Sequence, residues 1–363
     1  PIDIINLRMV DFMPISVMIK PSSSACNLKC EYCFYTSLAE KRDEAFKGYM
    51  NEKTAQNVIK SALEYADSTE VIFTFQGGEP LLSGIEFFRM FIKKEQEFNT
   101  KGSKITNCIQ TNATLIDEQW CEFFKSNNIL VGVSLDGDRE LNSYRLYKDG
   151  RESFDDVMSA IELLKKYNVQ FNILSVLTSQ LAQNFRKSYR FFKSNNLHFL
   201  QYIPCLKEFG EENSEYAMSV DDYASYLKSG YKLYFNDISR GTQMSIRQFD
   251  NYRLLMQGRH AEQCGMNGFC SEQFVVEGDG STYPCDFYCI NECYLGNINE
   301  VSFSKMRESE IFKSFVKSSY AVDEKCKECR YFTLCRGGGC KRNRASADYC
   351  EAYKMFFKDI ICF

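Results

Sequence analysis

Between residues 15 and 203, short runs rich in β-branched and aromatic residues alternate with longer amphipathic ones, and this rhythm restricts the fold more than any single motif. Strands are expected at 15–19, 71–76, 104–110, 129–135, 169–177 and 198–203. The segments 54–65, 85–98, 117–125, 153–167 and 181–194 have the length and polarity of crossover helices. Such alternation specifies an α/β fold whose parallel sheet is wound by right-handed βαβ units. Ligand sites in these folds lie at the carboxyl ends of the strands, so a motif there carries extra weight. After residue 205 the rhythm stops. A polar connection at 207–219 leads into helical sequence up to His260, and a cysteine-dense region follows, in which 273–277 and 281–287 flank the hairpin-turn tripeptide Gly278-Asp279-Gly280. The expected organisation is a core over 1–205, a helical connection over 206–262 and a second domain over 263–363.

The second constraint is chemical: 17 cysteines against two histidines in 363 residues. Disulfide frameworks suit small secreted domains with even cysteine counts, and neither condition holds here. The sequence begins without a basic stretch and apolar run of the secretory kind, so a cytoplasmic protein is expected. Its apolar runs fall short of the roughly 20 residues a membrane span needs, so no membrane partner is expected. A net charge of −4 argues against a nucleic-acid surface. Thiolate ligation of a metal is the remaining use for so many cysteines. Cys26, Cys30 and Cys33 follow the first expected strand directly. Three thiolates leave one iron of a cubane with an open position, as binding of a cofactor requires. A zinc knuckle, or ordinary buried cysteines, is the alternative.

The CxxxCxxC spacing followed by Phe34 and Tyr35 resembles the radical S-adenosylmethionine (SAM) superfamily. That resemblance implies a partial (β/α)6 TIM-like barrel. It also implies a cluster on Cys26, Cys30 and Cys33 whose open iron is chelated by S-adenosylmethionine, which one electron cleaves to a 5′-deoxyadenosyl radical. It assigns Gly77, Gly78 and Glu79 of the Gly-Gly-Glu-Pro motif to the methionyl amino group, and Ser134, Asp136 and Arg145 to the ribose and carboxylate of the cofactor. Asn142 stands where relatives often have histidine, and the charged residues of this loop read alternatively as a solvated face.

Cys264, Cys270, Cys285, Cys326, Cys329, Cys335, Cys340 and Cys350 supply enough thiols for two further cubanes. Their order resembles the SPASM extension of radical enzymes that modify peptides and proteins. By that resemblance Cys264, Cys270, Cys285 and Cys340 ligate a first auxiliary cluster, and Cys326, Cys329, Cys335 and Cys350 a second. Four residues, not the usual three, separate Cys335 from Cys340, and Cys362 is a candidate replacement ligand. A four-cysteine zinc site is the alternative, since spacing does not distinguish zinc from iron–sulfur. Cys108 and Cys121 read as small core residues, and Cys289 and Cys293 fit either use.

Met13-Pro14-Ile15-Ser16-Val17-Met18-Ile19-Lys20-Pro21, Phe75-Gln76-Gly77-Gly78-Glu79-Pro80, Gln110-Thr111-Asn112 and Tyr283-Pro284-Cys285-Asp286-Phe287-Tyr288 together look like anaerobic sulfatase-maturating enzymes. These oxidise a cysteine or serine of a sulfatase to Cα-formylglycine. The resemblance implies three [4Fe–4S] clusters, S-adenosylmethionine, an unfolded or nascent sulfatase as client and a low-potential donor such as flavodoxin or ferredoxin. It makes Asp286 the general base and has Tyr35 and Gln76 orient the target side chain. The alternatives are a backbone-capping role for Asp286 and plain packing for Tyr35. The rival activity is a maturase that forms thioether or carbon–carbon crosslinks in a ribosomal precursor peptide. Many such enzymes carry an N-terminal recognition domain, for which 25 residues before Cys26 are too few.

Overall fold

The alternation closes into one continuous sheet. The chain's structure, a computed structural model, describes residues 14–208, 211 and 214–360, so Met13 and Cys362 lie outside the described residues. The strands in chain order are β1 (Ile15–Ile19), β2 (Glu70–Phe75), β3 (Lys104–Thr111), β4 (Leu130–Ser134), β5 (Phe171–Leu177), β6 (Phe199–Pro204), β7 (Ser245–Ile246), β8 (Phe274–Val276), β9 (Ser281–Tyr283) and β10 (Gly296–Asn297). Their spatial order is β10-β9-β8-β1-β2-β3-β4-β5-β6-β7. Every pairing from β8 through β1 to β7 is parallel, and β8, β9 and β10 meet antiparallel. The core is a parallel sheet flanked by helices and continued by the antiparallel hairpin of the cysteine-rich region, the α/β class that the sequence predicts.

Period-two alternation decides which residues face the chemistry. Ile15, Val17 and Ile19 of β1 are buried on the helix side with Val71, Phe73 and Phe75 of β2. Their neighbours Met18 and Thr74 pair in register on the opposite, luminal side, and the same alternation carries Lys20 and Gln76 to the carboxyl rim. Behind the sheet, Phe73, Phe75, Phe88, Phe91 and Trp120 pack edge-to-face at centroid separations of 5.0 to 5.4 Å.

Two details differ from expectation. The segment 181–194 is two helices, Ser179–Gln183 and Phe185–Ser194. Thr178 caps the first through its hydroxyl, and Asn184 ends it by donating its side-chain amide to Gln180 O at 2.9 Å. The hairpin around Gly278-Asp279-Gly280 forms as β8 and β9, but β8 also joins the barrel sheet: Val17 pairs with Phe274 and Ile19 with Val276. That pairing carries Glu277 and Cys285 to the rim beside Lys20.

Candidate active site and thiol clusters

Beyond Ile19 the chain turns through 20–25 into Cys26, Cys30 and Cys33, and helix Phe34–Glu40 starts directly after Cys33. The loop is pinned on two sides. The amides of Lys29 and Glu31 donate to the carbonyls of Leu146 and Tyr144 at 2.7 and 3.1 Å, and those of Gly78 and Glu79 donate to Ser23 and Ala25, each at 2.8 Å. A Cβ on Gly78 would stand 2.0 Å from the Ala25 carbonyl oxygen, so glycine is what lets the exit of β2 close on the cysteine loop. Burial, with the neighbouring thiols adding to it, pushes the Cys26 thiol up to about 11 and Cys30 up to about 12. Thiols that hinder one another's ionisation suit a multiply charged metal centre that takes them as thiolates, so this donor set fits an iron–sulfur cluster.

Glu79 is fully buried, and its carboxylate accepts from the amides of Leu81 and Asn112 and from the Thr111 hydroxyl at 2.7 to 3.0 Å. It ties β2 to β3, leaving the backbone of the Gly-Gly-Glu turn to line the site. Asp136 and Arg145 form a buried two-point ion pair at 2.8 and 3.0 Å. Asp136 also accepts from the Tyr32 hydroxyl and from the Val176 amide at 2.8 Å. Asn142 Oδ1 accepts the Asp136 amide at 3.2 Å, which fixes the loop that delivers Arg145. Ser134 Oγ accepts from Gln110 at 2.9 Å. A cavity of about 310 Å³ opens beside this set, between Tyr32, Cys33, Phe34, Cys205, Tyr216 and Phe287. A larger one, about 980 Å³, lies at the opposite ends of β4, β5 and β6 around Phe171, Phe199 and Arg247. The thiols, not the volume, mark the chemical end.

The third group sits where β1, β2 and the hairpin meet. Asp286 is buried; its Oδ2 accepts from Gln76 Nε2 at 3.1 Å, and Lys20 Nζ lies 2.5 Å from its Oδ1. The Lys20 contact is an ion pair, and among the described residues Oδ1 accepts no hydrogen bond beside it. No backbone amide is recorded on the carboxylate among the described residues, which leaves the capping role without a contact. Tyr35 gives its hydroxyl to Glu277 at 2.7 and 2.9 Å and its ring to Lys20, whose ammonium stands 3.5 Å from the centroid. Arg42 completes Glu277 at 2.9 Å. Burial alone would lower Lys20, yet Asp286, Cys289, Tyr35 and Glu277 together hold it well above the usual lysine range. Sequence reasoning missed Lys20, Arg42 and Glu277; the alternation of β1 was the available signal for Lys20.

The eight later cysteines fall into two neighbourhoods of four. Burial, with Cys340 and Cys270 close by, pushes Cys264 up to about 11, and burial with neighbouring thiols likewise raises Cys285 and Cys340. Gly265, at φ +80°, is the cradle here: a Cβ would sit 2.3 Å from that of Cys340. Cys326, Cys329, Cys335 and Cys350 line one small cavity. Between Cys335 and Cys340, Arg336, Gly337, Gly338 and Gly339 all have positive φ, from 50° to 95°. This left-handed run absorbs the fourth residue and turns the chain from one quartet to the other. Cys121 is core, Cys108 lies half-buried in β3, and Cys289 is buried against Lys20 at 3.7 Å. Among the described residues no group of three or more His, Cys, Asp or Glu side chains closes on a single metal ion.

The family model of the Radical SAM superfamily matches residues 21–192, and that of the SPASM iron–sulfur cluster-binding domain matches 264–330. The chain is 44% identical to a cysteine-type anaerobic sulfatase-maturating enzyme of Clostridium perfringens (strain 13 / Type A), over 95% of this chain and 96% of that one. It is 32% identical to the serine-type enzyme of Bacteroides thetaiotaomicron, over 96% and 89%. A solved structure of native anSMEcpe with bound AdoMet superposes with a TM-score of 0.90 at 42% identity, covering 96% of this chain and 98% of that one. Another, with AdoMet and the Cp18Cys peptide, gives 0.90 at 41% identity, covering 96% and 97%. No helix among the described residues is long and apolar enough to cross a membrane.

Proposed function

The chain belongs to the anaerobic sulfatase-maturating enzymes, and from that membership we propose how its own residues carry the reaction. It is a radical SAM oxidoreductase that acts on a peptide substrate, converting a cysteine or serine of a sulfatase to Cα-formylglycine, with S-adenosylmethionine and [4Fe–4S] clusters as cofactors. Cysteine is the proposed target: the cysteine-type relatives are 41 to 44% identical, the serine-type ones 28 to 32%. Cys26, Cys30 and Cys33 would hold the cluster that binds S-adenosylmethionine, and the two quartets would hold the auxiliary clusters, making three. The bound cofactors supply a 5′-deoxyadenosyl radical that removes a Cβ hydrogen, and a sink for the second electron.

The remaining work falls to side chains. The Gly77-Gly78-Glu79 backbone, Ser134 and the Asp136–Arg145 pair would line the cofactor's methionyl and ribosyl ends. Asp286 would accept the thiol or hydroxyl proton of the target, and Gln76, bonded to it at 3.1 Å, would hold both in line. Tyr35 acts through Glu277 and Lys20, not on the target directly. One observation carries this reading: the carboxylate adjacent to Cys285, a member of the first quartet, is held at the barrel rim by Gln76 and Lys20. Proton and electron then leave towards the same side. The proposed client is an unfolded or nascent sulfatase in the cytoplasm, and the proposed donor a flavodoxin or ferredoxin. Anaerobically reconstituted protein, incubated with S-adenosylmethionine, a reductant and a peptide carrying Cys in the sulfatase Pro-Ser-Arg context, should yield a hydrazine-trappable aldehyde by mass spectrometry. Crosslinked product alone, from a different precursor, would replace this reading with the maturase one.

A further inference from the structure

Lysine is seldom fully buried, and when it is, the partner that justifies its desolvation identifies its role. Lys20 has no exposed surface, and its stem is gripped: its amide donates to Val276 O at 2.8 Å, and a Cβ on Gly77 would stand 3.0 Å from that of Lys20. The ammonium is therefore delivered to a fixed point by β1, β2 and β8. Four groups surround that point: Asp286 Oδ1 at 2.5 Å, the Tyr35 ring at 3.5 Å, Cys289 Sγ at 3.7 Å and Glu277 Oε1 at 3.8 Å. Glu277 is already served by Arg42 at 2.9 Å, by the Tyr35 hydroxyl and by Ser23 Oγ at 3.0 Å. Among the described residues, Asp286 has only Gln76 besides Lys20.

We infer that Lys20 is a positioning residue for the oxidation, clamping Oδ1 of Asp286 so that Oδ2 is presented with Gln76 to the target side chain. The inference rests on Asp286 being the base. A carboxylate swings freely about its last torsion, whereas proton transfer needs one oxygen within hydrogen-bond reach of the target. A cation fixed on three strand ends selects that orientation without itself touching substrate. A lysine that merely balanced Glu277 would stand closer to Glu277 than to Asp286, and the distances are the reverse.

The test is the ratio of aldehyde formed to 5′-deoxyadenosine formed, measured with a β-deuterated cysteine peptide on variants checked for iron content and melting temperature. Lys20→Met should keep its clusters and still move deuterium into 5′-deoxyadenosine, while the ratio falls at least tenfold. Lys20→Arg, which restores the charge on a differently shaped head, should recover part of it. A Lys20→Met ratio within twofold of wild type overturns the inference. So does Lys20→Arg proving as low as Lys20→Met, or deuterium transfer falling in step with aldehyde, either of which marks a structural lysine. Asp286→Asn, run alongside, separates the two readings: a normal ratio there refutes the base itself, whereas a collapsed ratio there with a normal one in Lys20→Met refutes only the clamp. Should Lys20→Met fail to load iron, a crystal structure of wild-type holoenzyme with cofactor and cysteine peptide decides. Oδ1 on Lys20 with Oδ2 facing the target sulfur supports the clamp, and an Asp286 turned away from Lys20 overturns it.

Discussion

Two buried acid–base sets sit at the same end of the barrel and are built differently. Asp136 is satisfied on every side, by two nitrogens of Arg145, the Tyr32 hydroxyl and the Val176 amide. Among the described residues, Asp286 has two partners, an amide from Gln76 on Oδ2 and the Lys20 ammonium as an ion pair on Oδ1. A carboxylate whose lone pairs are all engaged is a girder; one left short of partners in a dry place is available to accept a proton. On the proposed reading, the contrast separates the part of the rim that would hold the cofactor from the part that would finish the oxidation.

The largest effect erases the contrast altogether. Replacing Cys26, Cys30 and Cys33 by alanine should abolish 5′-deoxyadenosine formation, so that neither acid has a reaction to serve, while about eight of about twelve irons per chain remain in the quartets. Iron analysis with Mössbauer spectroscopy checks this; stoichiometric zinc in the quartets would refute the assignment of auxiliary clusters. Next in size, Asp136→Asn should behave as removal of a structural partner. It leaves Arg145 buried and uncompensated, which costs about 3–5 kcal/mol and should appear as a lowered melting temperature together with weakened S-adenosylmethionine binding. An Asp136→Asn protein of unchanged stability would make the two sets alike.

A third buried carboxylate sharpens the comparison at smaller scale. Among the described residues Glu95 faces no cation and only Asn107 donates to it, at 3.0 Å; burial pushes it up to about 8. A carboxyl whose folded pKa lies above its unfolded value stabilises fully below about 4.5, and that stability is lost as pH rises through about 8. The melting temperature should therefore drop on the order of a few degrees between pH 5 and 8.5, and Glu95→Gln should flatten that slope. A wild-type slope in Glu95→Gln would place the titration elsewhere.

Local pattern made the barrel legible. Period two predicted β1 at its observed bounds and the other five barrel strands within two residues at either end, because each strand carries its own buried face. The hairpin was equally local, announced by its turn. The pairing of β8 onto β1 was not, because a parallel contact between Val17 and Phe274 leaves no trace in either segment alone. Resemblance grouped the cysteines and named Asp286, Gln76 and Tyr35, but spacing could not say that Tyr35 spends its hydroxyl on Glu277. Lys20 was hardest to see as functional, since a lysine at a strand end ordinarily reads as solvated. Only the docking of the hairpin buries it.

In the proposed mechanism Asp286, the carboxylate with fewer partners, completes the oxidation after hydrogen abstraction, and Asp136 does not. The direct measurement is a single-turnover assay of Asp286→Asn with β-deuterated cysteine peptide, counting deuterium in 5′-deoxyadenosine and aldehyde in the peptide from the same tube. Expected is near-normal deuterium transfer with aldehyde reduced about a hundredfold or more, all clusters being retained. Aldehyde in step with 5′-deoxyadenosine, from a fully loaded Asp286→Asn protein, would contradict it.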